Sequence, residues 1–283
     1  MTIQICRNID EIRSLVKDYK SDRKSIGFVP TMGFLHEGHL ELVKTAKKAA
    51  DFVVVSIFVN PAQFNNSEDL KKYPRDEARD IKMLEQEQIT ALFLPTPEMF
   101  YPKTFQTWVD TSGLTQKYEG EFRPGHFKGV TTVVSILFNL IQPDLAVFGE
   151  KDFQQLRVIE QMVEDLKFPI DIIRGKTIRE VDGLAKSSRN VRLSKSAREK
   201  AKKIYAAFRD AQALYRDGFL EAEKILEEVN KKLLNLEEAK LEYLALVDEN
   251  LEAVKVCKDD SRILIAIEIE GVRLIDNCTL RTV

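Results

Sequence analysis

Two of the three histidines in the 283-residue chain, His36 and His39, fall in one stretch, PTMGFLHEGHLELV. Spaced i, i+3 around Gly38 where helical spacing begins, both imidazoles face one side of a helix N-terminus. The unpaired N–H groups and positive dipole end there attract phosphate, so the place suits an anion that gains charge. Gly33 and Gly38 allow ligand and backbone to approach closely, and Pro30 is expected to end the preceding strand abruptly. The competing reading is a helix cap with two solvated histidines. Zinc is disfavoured, because the spacing is not HExxH and no third ligand stands nearby.

Other loops carry suitable chemistry. In VNPAQFNNSEDLKKYPRD, Asn60 and Gln63 offer neutral donors and acceptors to a polar, uncharged part of a ligand, although an ordinary Asn/Pro turn has the same composition. RPGHFKGVTTVV places Arg123, His126 and Lys128 before an apolar helix, which fits a capped, charged helix start and an anion site equally well. FGEKDFQQL joins Gly149, where a ligand can come close, to Lys151 as a mobile cation, Asp152 as an acceptor for a ribose hydroxyl, and Gln155 one turn further on. A solvated charge cluster capping a helix is the alternative there. DGLAKSSRNVRLS sets Lys186 and Arg189 around Ser187 and Ser188, a composition suited to polyphosphate or to a basic loop without ligand. There is no GxxxxGK[ST], which excludes P-loop binding, and no GxGxxG after a strand, which disfavours a dinucleotide dehydrogenase.

These segments follow short β-branched runs. SIGFVP, FVVVSIF, ALFL, DLAVFG and IDIIR read as strands between residues 25 and 174, FVVVSIF as a buried one. Between them lie helical stripes: Leu40, Val43, Ala46 and Ala50; Val130, Val133, Val134, Leu137, Leu140 and Ile141; and Leu156, Ile159, Val163 and Leu166, all expected to be core. The alternation predicts an α/β fold, a Rossmann-like parallel sheet with helices on both faces, over residues 1–175. Past it, charged helical sequence from about Ser196 to Leu236 and the strand-like LEYLALV, ILIAIEI and RLIDNCTL predict a smaller α+β domain over 176–283, closing over the site. Ligands of open α/β sheets bind beyond the carboxyl ends of the strands, where the loops above lie.

With 43 basic and 45 acidic residues the net charge is −2, so no wholesale basic surface for nucleic acid or anionic lipid exists. The 44% hydrophobic and 31% charged content is that of a globular chain. No apolar block like a secretory leader and no stretch of the ~20 apolar residues that span a bilayer is present, so a cytoplasmic location is expected. Cys6, Cys257 and Cys278 are too scattered for a disulfide framework or metal site, and buried reduced thiols are expected.

Taken together, PTMGFLHEGH, SIFVNPAQF, RPGHFKGVTTVV, PDLAVFGEKDFQQL, DGLAKSSRN and the terminal RLIDN resemble, in order and across nearly the full chain, the pantothenate synthetase (pantoate-β-alanine ligase) family of the HxGH nucleotidyltransferase superfamily. A lone HxGH would indicate only the superfamily; VNPxQF and KDxQQ beside it are specific. The resemblance implies ATP-dependent condensation of pantoate with β-alanine to pantothenate through pantoyl adenylate, with release of pyrophosphate and then AMP. It further implies that Met32, Gly33, Phe34, Leu35, His36, Glu37, Gly38 and His39 line ATP, with His36 and His39 stabilising phosphate charge and His39 donating a proton. Gly149, Glu150, Lys151 and Asp152 would contact ATP, Ile178 would meet the adenosine through its backbone, and Lys186, Ser187, Ser188 and Arg189 would close over the polyphosphate. Gln63 and Gln155 would hold pantoate, Gln63 also lying near β-alanine, and Tyr73 and Asp80 would border the site.

Mg²⁺ would be held by phosphate oxygens, without a dedicated protein metal site, and the likeness implies a homodimer acting on small molecules only. Ile136 stands where many relatives carry lysine, and Arg192 replaces a common aromatic. Two competing readings are a nucleotidyltransferase with a phosphate-bearing acceptor, which would call for cations at Gln63 and Gln155, and a non-catalytic nucleotide sensor or RNA-binding relative. The retained His36, His39 and Lys151 count against the latter.

Overall fold

A computed structural model of the chain describes residues 3–234 and 236–281. It divides into two compact units, one running to Glu150 and resuming over Val158–Thr177, the other made of Lys151–Arg157 and the chain from Ile178 onward.

The first unit is built on a six-stranded sheet of β1 (Gln4–Cys6), β2 (Ile26–Thr31), β3 (Phe52–Ile57), β4 (Ala91–Phe93), β5 (Leu145–Gly149) and β6 (Asp171–Gly175), in the order β1-β4-β3-β2-β5-β6. Every pairing is parallel, as the α/β alternation predicts. Both faces of a parallel sheet are covered by its crossover helices, which is why β3 reads FVVVSI rather than alternating, with Phe52 to Ser56 buried. The helix Glu37–Ala49 turns Val43 and Ala46 inward against Val29, Val55 and Val147, and the helix His126–Ile141 is buried almost throughout. Strand order reverses direction between β2 and β5, so the crevice favoured by ligands opens at their carboxyl ends.

Some local expectations are corrected. Pro30 does not end its strand but pairs with Ser56 inside it. It is tolerated because β5 pairs with β2 only at Gly27 and Phe28, leaving no ladder bond for Pro30 to break on that side. Leu166 lies just past the end of helix Phe153–Asp165 and is 53% exposed; Met162 fills the core position on that helix instead. β1 was not anticipated, because three residues at a sheet edge carry too little pattern.

The second unit holds an antiparallel sheet, β7 (Ala239–Val247), β8 (Arg262–Ile269) and β9 (Val272–Thr279), in sequence order. The charged helical sequence expected from about Ser196 to Leu236 forms two helices, Lys195–Arg216 and Ala222–Leu234. Gly218, at φ +92°, makes the break, since the left-handed conformation that closes a helix costs glycine nothing. Ala201, Ile204, Phe208, Ile225 and Val229 of these helices join Ile263, Ile265 and Ile267 of β8 in one apolar cluster. All three cysteines are free, with Cys6 and Cys257 buried. Among the described residues no helix is long and apolar enough to cross a membrane.

The start of helix Lys195–Arg216 carries a pH-dependent contact. Glu270 accepts from Ser194, Lys200 and Ser196, and these bonds hold its carboxyl down at about 2. A carboxyl depressed in the folded state adds stability above its unfolded value, here 4.5, and that stability is lost as pH falls toward about 2. Glu270→Gln should therefore flatten the dependence of the thermal midpoint on pH across that window while leaving the neutral-pH slope unchanged.

Candidate active site

At the carboxyl end of β2 the chain makes a tight, left-handed passage before its helix. Gly33 has φ +79° and Phe34 φ +50°, and a Cβ on Gly33 would stand 2.8 Å from Ile57 Cγ2 and 3.2 Å from Asp80 Oδ2. Two groups hold this conformation. Thr31 Oγ1 donates to the Ser56 carbonyl at 2.8 Å and accepts from the Gly33 N–H. The Asp80 carboxylate accepts from the Phe34 N–H at 2.6 Å and the Leu35 N–H at 2.8 Å. Asp80 is buried, and burial raises its pKa against the lowering effect of those two amides. Asp80 thus fixes the backbone of this loop.

The loop delivers two imidazoles in defined tautomers. His36 is the N-cap of helix Glu37–Ala49, its Nδ1 accepting from the Gly38 N–H at 3.1 Å, while His39 Nδ1 accepts from the His36 N–H at 3.3 Å. This is a capping box in which both acceptors are ring nitrogens. A neutral imidazole that accepts at Nδ1 carries its proton at Nε2, so each ring presents an Nε2–H donor. The ring centroids are 4.0 Å apart. The helix-cap reading and the phosphate reading are therefore compatible: the cap is what orients the donors. Glu37 is exposed and Leu35 buried.

The turn after β3 is organised as strictly. Asn60 Oδ1 accepts from the Ala62 N–H and from the Tyr101 hydroxyl, and its Nδ2 donates to the Gly129 carbonyl and to Gln63 Oε1, both at 3.0 Å. Backbone groups have unambiguous polarity, so the Ala62 donor and Gly129 acceptor fix the Asn60 amide, and Asn60 in turn fixes Gln63. Gln63 Nε2 then points at Met32 Sδ, 3.2 Å away, which brings the loops after β2 and β3 together. Burial pushes the Tyr101 hydroxyl up to about 12 against the bond to Asn60, so it stays a donor at neutral pH. Tyr73 is buried edge-on to Phe64 beyond this turn.

RPGHFKG resolves as scaffold for that turn. His126 is buried with Nδ1 2.8 Å from the Gln63 carbonyl and Nε2 3.2 Å from Arg123 Nη1, while Arg123 Nη2 donates to the same carbonyl. Arg123 also pairs with Glu119. Lys128 lies over the Trp108 ring. Gly129 is required because a Cβ there would meet the Ala62 carbonyl oxygen at 2.5 Å and Gln63 N at 2.7 Å, both immovable backbone. Sequence reasoning missed Tyr101 and Gly129; the glycine three residues after His126, at a helix start, was the available signal.

β5 ends at Gly149, and Glu150–Asp152 form one 3-10 turn leading into helix Phe153–Asp165. Within the second unit, Lys151 Nζ lies 3.8 Å from Asp152, and Gln155 is half-buried on the helix that follows. Ile178 opens a hairpin: its carbonyl accepts from the Lys186 N–H, and Arg179 bridges Ala185. Ser187 then caps a 3-10 turn, Ser188–Arg192, so Lys186 to Arg189 run into an ordered helical turn with Ser188 buried. Ile136 and Arg192 are both half-buried.

The chain matches, over residues 4–279, the family model described as Pantoate-beta-alanine ligase. The chain belongs to this family. Among its relatives are the pantothenate synthetases of Thermoanaerobacter sp. (strain X514), 49% identical over 95% of both chains, and of Aquifex aeolicus, 46% identical over 96% of both. The crystal structure of pantothenate synthetase from Thermus thermophilus superposes with a TM-score of 0.94 at 42% identity, covering 99% of this chain and 100% of that one. A pantoate-β-alanine ligase from Francisella tularensis, solved with β-γ ATP and β-alanine, gives 0.82 at 36% identity, covering 99% of each. As a pantoate-β-alanine ligase, the protein forms the amide of pantothenate.

Proposed function

We propose that this ligase works through pantoyl adenylate, with the residues above in divided roles. The pantoate carboxylate attacks the α-phosphorus of ATP and pyrophosphate leaves; the β-alanine amine then attacks the acyl carbon and AMP leaves. A carboxylate is a poor acyl donor because oxide leaves badly, and adenylation replaces that oxide with a phosphate ester. Charge accumulates on phosphate oxygens as it does so, and fixed donors stabilise it without reorganising.

The observation that carries this reading is the pair of Nε2–H donors held by the His36–His39 capping box at a helix N-terminus. On it, Met32 to His39 line ATP, His36 and His39 receive the phosphate charge, and His39 donates a hydrogen bond from Nε2 to the departing pyrophosphate. Gly149 to Asp152 and Ile178 contact the nucleotide, with Lys151 and Lys186 to Arg189 on its phosphates. Support for Gly149 comes from its surroundings: an added Cβ would meet only Leu42, at an ordinary 3.8 Å, so no neighbouring side chain demands glycine there. Gln63, with its amide orientation fixed, and Gln155 hold pantoate, and Gln63 borders β-alanine. ATP enters as its Mg²⁺ complex; the groups assigned to the phosphates are N–H and O–H donors, so phosphate oxygens hold the metal. By family likeness the enzyme is a cytoplasmic homodimer.

Incubation with Mg²⁺, ATP and pantoate should release pyrophosphate without β-alanine, and AMP and pantothenate should follow only when β-alanine is added. ADP and phosphate in place of AMP and pyrophosphate would replace the adenylate by an acyl phosphate. Gln155→Ala should raise KM for pantoate by about tenfold, the scale of one buried hydrogen bond, with KM for ATP little changed. Equal rises in both would remove Gln155 from the pantoate site.

A further inference from the structure

The terminal RLIDN segment has no role in the chemistry above, yet it buries two adjacent polar side chains on a sheet edge. Asp276 and Asn277 are 5% and 4% exposed on β9, which among the described residues pairs only with β8. Successive side chains of a strand leave opposite faces, so one polar group goes each way.

Asn277 Oδ1 accepts from Arg262 Nη1 at 2.6 Å, and its Nδ2 donates to the carbonyl of Lys151 at 2.9 Å. The Arg262 guanidinium is itself stacked on Phe153, two residues beyond Lys151. Asp276 takes the Arg179 guanidinium in a fork, at 2.6 and 3.0 Å, and Arg179 directs its other donors to the carbonyls of Gly183 and Asn277. Arg179 also lies over the Tyr205 ring. It stands at the base of the hairpin whose return arm is Ala185 and Lys186, so Asp276 ties down the point from which Lys186 to Arg189 depart. Burying two guanidinium groups, a carboxylate and an amide is costly, and an apolar set of similar volume commonly serves stability as well. What the polar set adds is direction, because each bond ends on a backbone carbonyl or a charged partner at a defined angle.

We propose that Asp276 and Asn277 are positioning residues for ATP, setting Lys151 through its carbonyl and the Lys186 to Arg189 turn through Arg179. The inference rests on the assignment of those two segments to the phosphates. It makes one strand edge the common reference for cations that stand far apart in the chain, so that both are placed together.

Asn277→Asp keeps the acceptor for Arg262 and removes the donor to Lys151. It should raise KM for ATP or lower the rate of pantoate-dependent pyrophosphate release by about tenfold, while KM for β-alanine stays within about twofold. The double variant Lys151→Ala/Asn277→Asp should be no slower than Lys151→Ala alone, since the amide acts through that lysine. Multiplying losses, or equal shifts in ATP and β-alanine parameters, would reduce Asn277 to general support of the fold. If Lys151→Ala leaves ATP kinetics untouched, the assignment of Lys151 to ATP fails, and this inference fails with it for a separate reason. Should Asn277→Asp not fold, Arg179→Lys keeps the charge but loses the fork. An ATP-selective loss there supports the positioning role and wild-type ATP kinetics overturn it.

Discussion

Replacing His39 by Asn should slow pyrophosphate release by about 10²–10³-fold, the usual cost of removing one preorganised donor at a developing oxyanion, and leave the thermal midpoint close to wild type. The reason lies in the two jobs of this ring. Its Nδ1 closes the capping box by accepting from the His36 N–H, and its Nε2 carries the proton assigned to phosphate. The Oδ1 of asparagine reproduces the Nδ1 position, so the helix start survives, but nothing reaches the place of Nε2. Glutamine does the reverse, with an amide nitrogen near the Nε2 position and no acceptor for the cap. His39→Gln should therefore retain more activity than His39→Asn while losing more stability, by about 1 kcal/mol as for other lost caps. Burst measurements of pyrophosphate alongside thermal melts separate the two. An Asn variant that turns over normally would show that the His39 Nε2–H takes no part in adenylation, and a Gln variant as inactive as Asn would remove the simple donor role.

The chemistry was easier to read from this chain than the framework beneath it, for a physical reason. His36, His39, Lys151 and the Lys186 to Arg189 run stand out because two of the chain's three histidines share one short stretch and the cations gather with hydroxyls in loops beyond strand ends. The parallel sheet was legible from runs such as FVVVSI, whose continuous burial has no surface alternative. What stayed hidden depends on contacts between distant segments. Asp80 reads as one acid among several on a polar helix, and only the fold shows it accepting from Phe34 and Leu35. His126 and Arg123 have the composition of an anion site, and only the position of the Gln63 carbonyl shows that both are occupied in holding a backbone turn. The edge strand β1 and the break at Gly218 escaped because a period of two or of 3.6 needs more residues than either offers.

That dependence makes Asn60 the second large lever, though it touches no phosphate. Its amide donates to Gly129 and Gln63, and its carbonyl accepts from Ala62 and Tyr101, in a position only 1% exposed. Asn60→Asp preserves shape and the accepting side but turns the donating side into an acceptor facing two acceptors. At neutral pH a buried carboxylate would confront the Gly129 carbonyl and Gln63 Oε1 with no proton between them, which costs several times a single lost bond. Gln63 then loses the group that fixes its amide, and kcat/KM for pantoate should fall by about 10²-fold, the scale of a misplacement near 1 Å. KM for ATP should move far less, because Asn60 bonds none of the residues assigned to the phosphates. The pH dependence distinguishes this cause from simple loss of packing: protonating the new carboxyl restores one donor, so the variant should recover relative to wild type as pH is lowered. Asn60→Ala has no proton to regain and should show no such recovery. Parallel pH profiles for the two variants would mean that Asn60 contributes volume, not the polarity that aims Gln63.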